Sequence, residues 1–164
     1  MKSNSLLKTV LLTWLFVGTT DLASAYMTVW IRSGKFADNM LNYIAGGALG
    51  LPTSLQGGNW AALLGLCFHY FIALSFTAFF FWLFPRLKFL GYNKYLVGML
   101  YAVFVNLTMG QVILRLSRLP VGPFNLARAV VDWMSFGVVF GIPLVYSAYA
   151  YYRPAADKDM KAAA

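Results

Sequence analysis

The feature that most constrains this chain is the run from Trp60 to Phe84, 25 residues without one Asp, Glu, Lys or Arg. A helix needs about 20 mostly apolar residues to cross a bilayer. Three other stretches meet the same condition: roughly Leu6 to Ile31, Lys94 to Leu114, and Leu126 to Tyr152. Composition agrees, since only 11% of the residues are charged, whereas a soluble domain carries about a quarter. The charges lie between the apolar runs, as expected where lipid is the outer solvent. The pattern predicts an all-α fold, a four-helix transmembrane bundle forming one integral membrane domain over residues 1–164.

The ends of the runs carry stop signals. Phe84-Pro85-Arg86 combines proline and charge, which together end a helix. The third run stops at Arg115 and Arg118, and the turn Leu119-Pro120-Val121-Gly122-Pro123 follows, with Asn125 placed to cap the fourth helix. The first run has a competing reading. Lys2 and Lys8 precede an apolar core, and Ala23-Ser24-Ala25 looks like a signal-peptidase site. Thr19, Thr20 and Asp21 just before that site, and apolar residues continuing to Ile31, favour a retained helix. Between the first two spans, Phe36, Met40, Tyr43 and Ile44 recur at helical spacing and predict a short interfacial helix. Gly46, Gly47, Gly50, Pro52, Gly57 and Gly58 predict a glycine-rich loop after it.

The balance is basic, 13 Lys and Arg against 5 Asp and Glu. No basic run stands free of the spans, so the positive residues are assigned to loops and lipid headgroups, and nucleic acid is not an expected partner. Lys2, Lys8, Arg86, Lys88, Lys94, Arg153, Lys158 and Lys161 fall on one side, and Arg32, Lys35, Arg115, Arg118 and Arg128 on the other. The larger set marks the cytoplasmic side, and both chain ends go with it. The expected partners are the lipid bilayer and either another membrane protein or further copies of the chain.

Membrane bundles rely on small residues that let backbones approach. The second span reads Ala61, Gly65, His69, Ala73, Thr77 at four-residue spacing; the third reads Gly98, Ala102, Asn106, Gly110; the fourth contributes Gly137 and Gly141. These rows predict the interior faces, and two of them contain a polar residue. With each span's midpoint at the bilayer centre, Asp21 and His69 lie roughly 4 Å outward and Asn106 roughly 3 Å. Gln111, Arg115, Arg128 and Asp132 make a second polar set nearer the interface, where Asp132 pairs with Arg128 one turn away or with Arg115.

Ionisable groups at membrane depth are costly and often mark a pathway or site. Asp21 and His69 are therefore expected to face each other, within direct or single-water hydrogen-bond reach, with Asn106 close enough to join. A lone histidine in a small-residue row serves equally well as interhelical glue. No hydrolase, nucleotide-binding or paired-cysteine motif is present. Cys67 is the only cysteine, and Cys67 and His69 point roughly 160° apart on a helix, so they cannot share one metal. No catalytic residue, metal or cofactor is expected. The sequence favours a non-enzymatic protein with an interior polar site for protons or a small polar solute over an assembly subunit of a membrane complex. A lipid-modifying enzyme has least support.

The runs Gly18-Thr19-Thr20-Asp21-Leu22-Ala23, Phe68-His69-Tyr70-Phe71-Ile72-Ala73, Phe84-Pro85-Arg86-Leu87-Lys88 and Val121-Gly122-Pro123-Phe124 resemble small four-helix bacterial inner-membrane proteins of the YagU-like group, which is linked to acid resistance. The resemblance covers most of residues 6 to 152. It implies a bacterial inner-membrane location and the same helix count, and it supplies no activity and no catalytic residues.

Overall fold

The computed structural model describes residues 5–120, 122 and 124–162, with side chains for all of these except Lys88 and residues 153–162. The fold is an all-α four-helix bundle. The four long apolar helices are α1 (Leu6–Ser33), α4 (Gly58–Leu83), α5 (Lys94–Leu116) and α6 (Leu126–Tyr152, continuing helical to Ala162), each long and apolar enough to cross a membrane. Two short helices, α2 (Met40–Leu49) and α3 (Leu51–Gln56), lie between α1 and α4. The chain is a multi-pass membrane protein, and Leu12, Phe16, Trp60, Phe71, Trp82 and Leu96 form part of its exposed apolar surface, the area that lipid covers.

The helices begin and stop where local chemistry directs. Ser5 caps α1 by accepting from the Lys8 N–H, and Asn93 does the same for α5 through Tyr95 and Leu96. Asn125 caps α6, accepting from the Arg128 N–H at 3.0 Å as its position predicts. α1 is one continuous helix through Ala23-Ser24-Ala25.

The expected glycine-rich loop is instead helical. Gly46 and Gly47 lie inside α2, and only Gly50, at φ 84°, breaks the path before α3 begins with Pro52 in its first turn. The reason is packing. A Cβ on Gly65 of α4 would strike the Leu41 carbonyl of α2, so glycine here allows backbone contact rather than a loop. Buried Asn42 donates to the carbonyls of Ser54 and Gly58, at 3.0 and 2.9 Å, tying α2 to the start of α4. The α2–α3 pair thus folds back along the first turns of α4. Ala61 and Gly65, expected to face another span, face this pair.

Contacts between remote segments give the up-and-down order. At one end the Arg32 guanidinium meets the Asp132 carboxylate at 2.7 Å, and the Arg118 N–H donates to the Gly47 carbonyl at 2.9 Å. At the other end the Tyr152 hydroxyl donates to the Phe81 carbonyl, and Lys94 sits 4.0 Å from the Tyr149 ring centre. The cations with described side chains follow this division. Lys8, Arg86 and Lys94 have described side chains, whereas Lys2 and the side chains of Lys88, Arg153, Lys158 and Lys161 lie outside the described residues.

α4 is the hub. The Trp14 indole N–H of α1 donates to the Tyr70 carbonyl at 2.7 Å, the Tyr101 hydroxyl of α5 to the Phe76 carbonyl at 2.6 Å, and Tyr152 of α6 to Phe81 at 2.9 Å. Each partner helix therefore tethers an α4 carbonyl through the polar tip of a large ring. Between α5 and α6 the contact is direct: a Cβ on Gly141 would strike the Gly98 carbonyl.

Candidate functional site

The regular spacing of α5 and α6 is interrupted by one wide π turn each, near the end of α5 at Met109–Ile113 and inside α6 at Gly137–Gly141. Such turns often accompany functional sites. The cause of the second is readable: Pro143 has no N–H for the carbonyl four residues before it, that of Val139. The Thr20 hydroxyl of α1 lies 2.9 Å from this carbonyl. It also lies near the Phe16 and Val17 carbonyls of its own helix, at 3.0 and 3.1 Å, and its single proton serves one acceptor at a time.

Next to both π turns lies a cavity of about 280 Å³. Its polar lining is Asp21 from α1, His69 from α4 and Asn106 from α5; Ile44 of α2 reaches it from one side, and Phe136 and Phe140 of α6 from another. Five helices thus converge on one space in which three polar side chains, all half-buried, face mostly apolar walls. Ligand sites commonly combine apolar walls with a few placed polar groups.

The sequence expects Asp21 and His69 within direct or single-water reach, and no direct hydrogen bond joins the two among the described residues. His69 Nε2 lies 2.8 Å from the Gly18 carbonyl of α1. A carbonyl only accepts, so Nε2 carries the proton and Nδ1 is the ring's unused position. Asp21, three residues beyond Gly18, is an electrostatic neighbour of His69, and among the described residues no protein group donates a hydrogen bond to its carboxylate. Asn106 donates to the Ala102 carbonyl one turn back at 3.0 Å, leaving its Oδ1 and one N–H unused. The imidazole is therefore glue to α1 through one nitrogen while its other nitrogen is uncommitted. Its ring also meets Tyr70 edge-on at 5.3 Å. Tyr70 donates in turn to the Thr19 hydroxyl at 2.8 Å, because Thr19 uses its own proton on the Leu15 carbonyl.

The second polar set is not gathered. Asp132 pairs with Arg32 of α1, a hundred positions away in the chain, rather than with Arg128 or Arg115. The last turn of α1 arrives beside the first turns of α6, and Arg32 reaches the carboxylate from there. Gln111, Arg115 and Arg128 are exposed. The Arg32–Asp132 pair is itself wet, with side chains 43% and 41% exposed, so it contributes about 0–1 kcal/mol. Cys67 is exposed, and among the described residues no three His, Cys, Asp or Glu side chains converge as metal ligands would.

Sequence reasoning missed the π turns, the Thr20–Val139 contact and the ring tethers to α4. Pro143 was the available signal for the π turn of α6 and for the Thr20–Val139 contact. Comparison with protein-family models, with curated proteins and with solved structures finds no match to this chain.

Proposed function

We propose that this multi-pass protein binds or relays protons, or a small polar solute, at an interior site formed by Asp21, His69 and Asn106. The observation that carries the reading is the single cavity lined by all three, in which the Asp21 carboxylate has no protein donor among the described residues. A carboxylate at membrane depth without a protein partner is costly, and a ligand or proton at that position removes the cost. The two members differ in role. Asp21 is the anionic end, and His69, anchored through Nε2, offers Nδ1 as the atom that takes or releases a proton.

The larger set of flanking cations supports cytoplasmic chain ends, and the resemblance to the YagU-like group supports a bacterial inner membrane. An assembly subunit is the second reading. It draws on the apolar outer surface, which lipid covers equally, and so has no observation of its own.

His69 is the only histidine, so the test has one signal. In isotope-labelled protein in lipid nanodiscs, the imidazole resonance is expected to move in Asp21→Asn, because the carboxylate is the ring's electrostatic neighbour in the cavity. An imidazole that ignores the Asp21 substitution is structural glue alone, and the reading fails.

A further inference from the structure

Consecutive helices α4 and α5 are joined by a short loop, yet their backbones barely approach each other. Rings hold them apart. Phe80 meets Tyr101 at 4.6 Å between centres, Phe79 stacks on Phe104 at 6.0 Å, and the Tyr101 hydroxyl crosses to the Phe76 carbonyl at 2.6 Å. The seam this leaves contains two spaces. One is the polar cavity, whose α4 and α5 walls include Phe76 and Asn106. The other, about 310 Å³, lies nearer the connecting loop and is lined by Phe79, Leu83, Leu100 and Phe104 among other apolar residues. Leu100 is 55% and Phe104 44% exposed, so the apolar space opens sideways, on the lipid-facing surface. From Asn106 to Val97, which lines its far end, is nine residues, roughly 14 Å of helix axis.

The polar end selects the head group. His69 Nδ1, Asn106 Oδ1 and the Asp21 oxygens are acceptors, and one Asn106 N–H is the only protein donor left over on those three side chains. A ligand that completes these bonds must bring donors. An ammonium group brings three, with a charge opposite to the carboxylate; a carboxylate or phosphate head meets Asp21 with like charge.

We propose that the α4–α5 seam admits from the bilayer a single-chain amphiphile with an ammonium head, its tail along Phe79, Leu100 and Phe104 and its head at Asp21, His69 and Asn106. This rests on the reading of those three residues as a site and adds the class of ligand and the route of entry. The walls suit the chemistry, since the tail leaves lipid for an equally apolar groove and only the head exchanges solvent for fixed acceptors.

The His69 imidazole signal in nanodiscs is the readout, because ligand merely dissolved in lipid does not move it. Dodecylammonium is expected to shift the signal saturably and laurate to leave it unchanged. Butylammonium, a head without the tail, should need at least tenfold more. Asp21→Asn should remove the saturable shift. Leu100→Trp, at a lipid-exposed position that tolerates bulk, should weaken dodecylammonium about tenfold by filling the groove. Equal responses to butylammonium and dodecylammonium, or indifference to Leu100→Trp, would put the tail outside the seam and overturn the proposal. A His69 signal that moves in Asp21→Asn but ignores dodecylammonium also overturns it, while leaving the polar site intact; a signal that does neither removes both.

Discussion

Where α5 meets α6, Gly98 and Gly141 bring backbone against backbone; where α5 meets α4, Tyr101, Phe104 and their ring partners keep the backbones apart. The same helix therefore has one seam closed by the smallest side chain and one propped open by large ones. The closed seam gains dispersion contacts along the backbone. The open seam satisfies the Tyr101 hydroxyl on the Phe76 carbonyl but cannot fill the space between rings, and both cavities lie along it. In a membrane, where burying apolar surface yields little because lipid is as apolar as a core, the difference matters. Small residues supply cohesion, and aromatic residues supply spacing.

The largest expected effect comes from forcing the closed seam open. Gly141→Leu places a side chain where the Gly98 carbonyl and Cα already stand. Neither neighbour is the end of a flexible chain, so α5 and α6 must separate. A loss of about 3 kcal/mol or more is expected, read as a collapse in the yield of monodisperse protein from detergent and in its thermal unfolding temperature. A variant that purifies and melts like wild type would show that this contact is not what holds α5 to α6.

Loosening the open seam is expected to do less. Tyr101→Phe keeps the ring and removes the hydroxyl that reaches Phe76. Hydrogen bonds between membrane helices average about 0.6 kcal/mol, and the Phe76 carbonyl also serves its own helix, so a loss of about 1 kcal/mol or less is expected. Thermal unfolding of the purified variant measures it. A loss as large as that of Gly141→Leu would mean that the rings are the main cohesive element, reversing the comparison.

The contrast also explains what could be read in advance. The glycine rows are periodic, and periodicity is visible in one sequence; the Gly98–Gly141 contact and the burial of Ala73, Thr77 and Ala102 follow from it. Glycine is ambiguous where periodicity is short, which is why residues 46–58 read as a loop although Gly46 and Gly47 lie in a packed helix. The ring tethers had no signature, because their acceptors are backbone carbonyls that any residue carries. His69 illustrates both sides. Rise per residue put it at the depth of Asp21 and Asn106, and the three line one cavity. Its actual partner is the Gly18 carbonyl, which no side-chain pattern could indicate. Asp132 fails for a different reason: the local four-residue rule offered Arg128, while the fold supplied Arg32 from the far end of another helix.

The smallest expected effect probes a point where small-residue packing leaves a polar group unserved. Thr77 continues the α4 row below Ala73 and is fully buried, and its hydroxyl has no hydrogen-bond partner among the described residues. A buried hydroxyl without a partner costs free energy, while an apolar group of the same shape in the same place does not. Thr77→Val keeps the branched shape and replaces the oxygen with a methyl group. The row needs a residue of this size rather than a polar one, so stability should be unchanged or higher by up to about 1 kcal/mol. The measurement is the thermal unfolding temperature in the same detergent, with Gly141→Leu run beside it as the opposite extreme. A drop in Thr77→Val would mean that the hydroxyl is bonded in the folded protein, and that this part of the closed packing is held by polar contact as well as by fit.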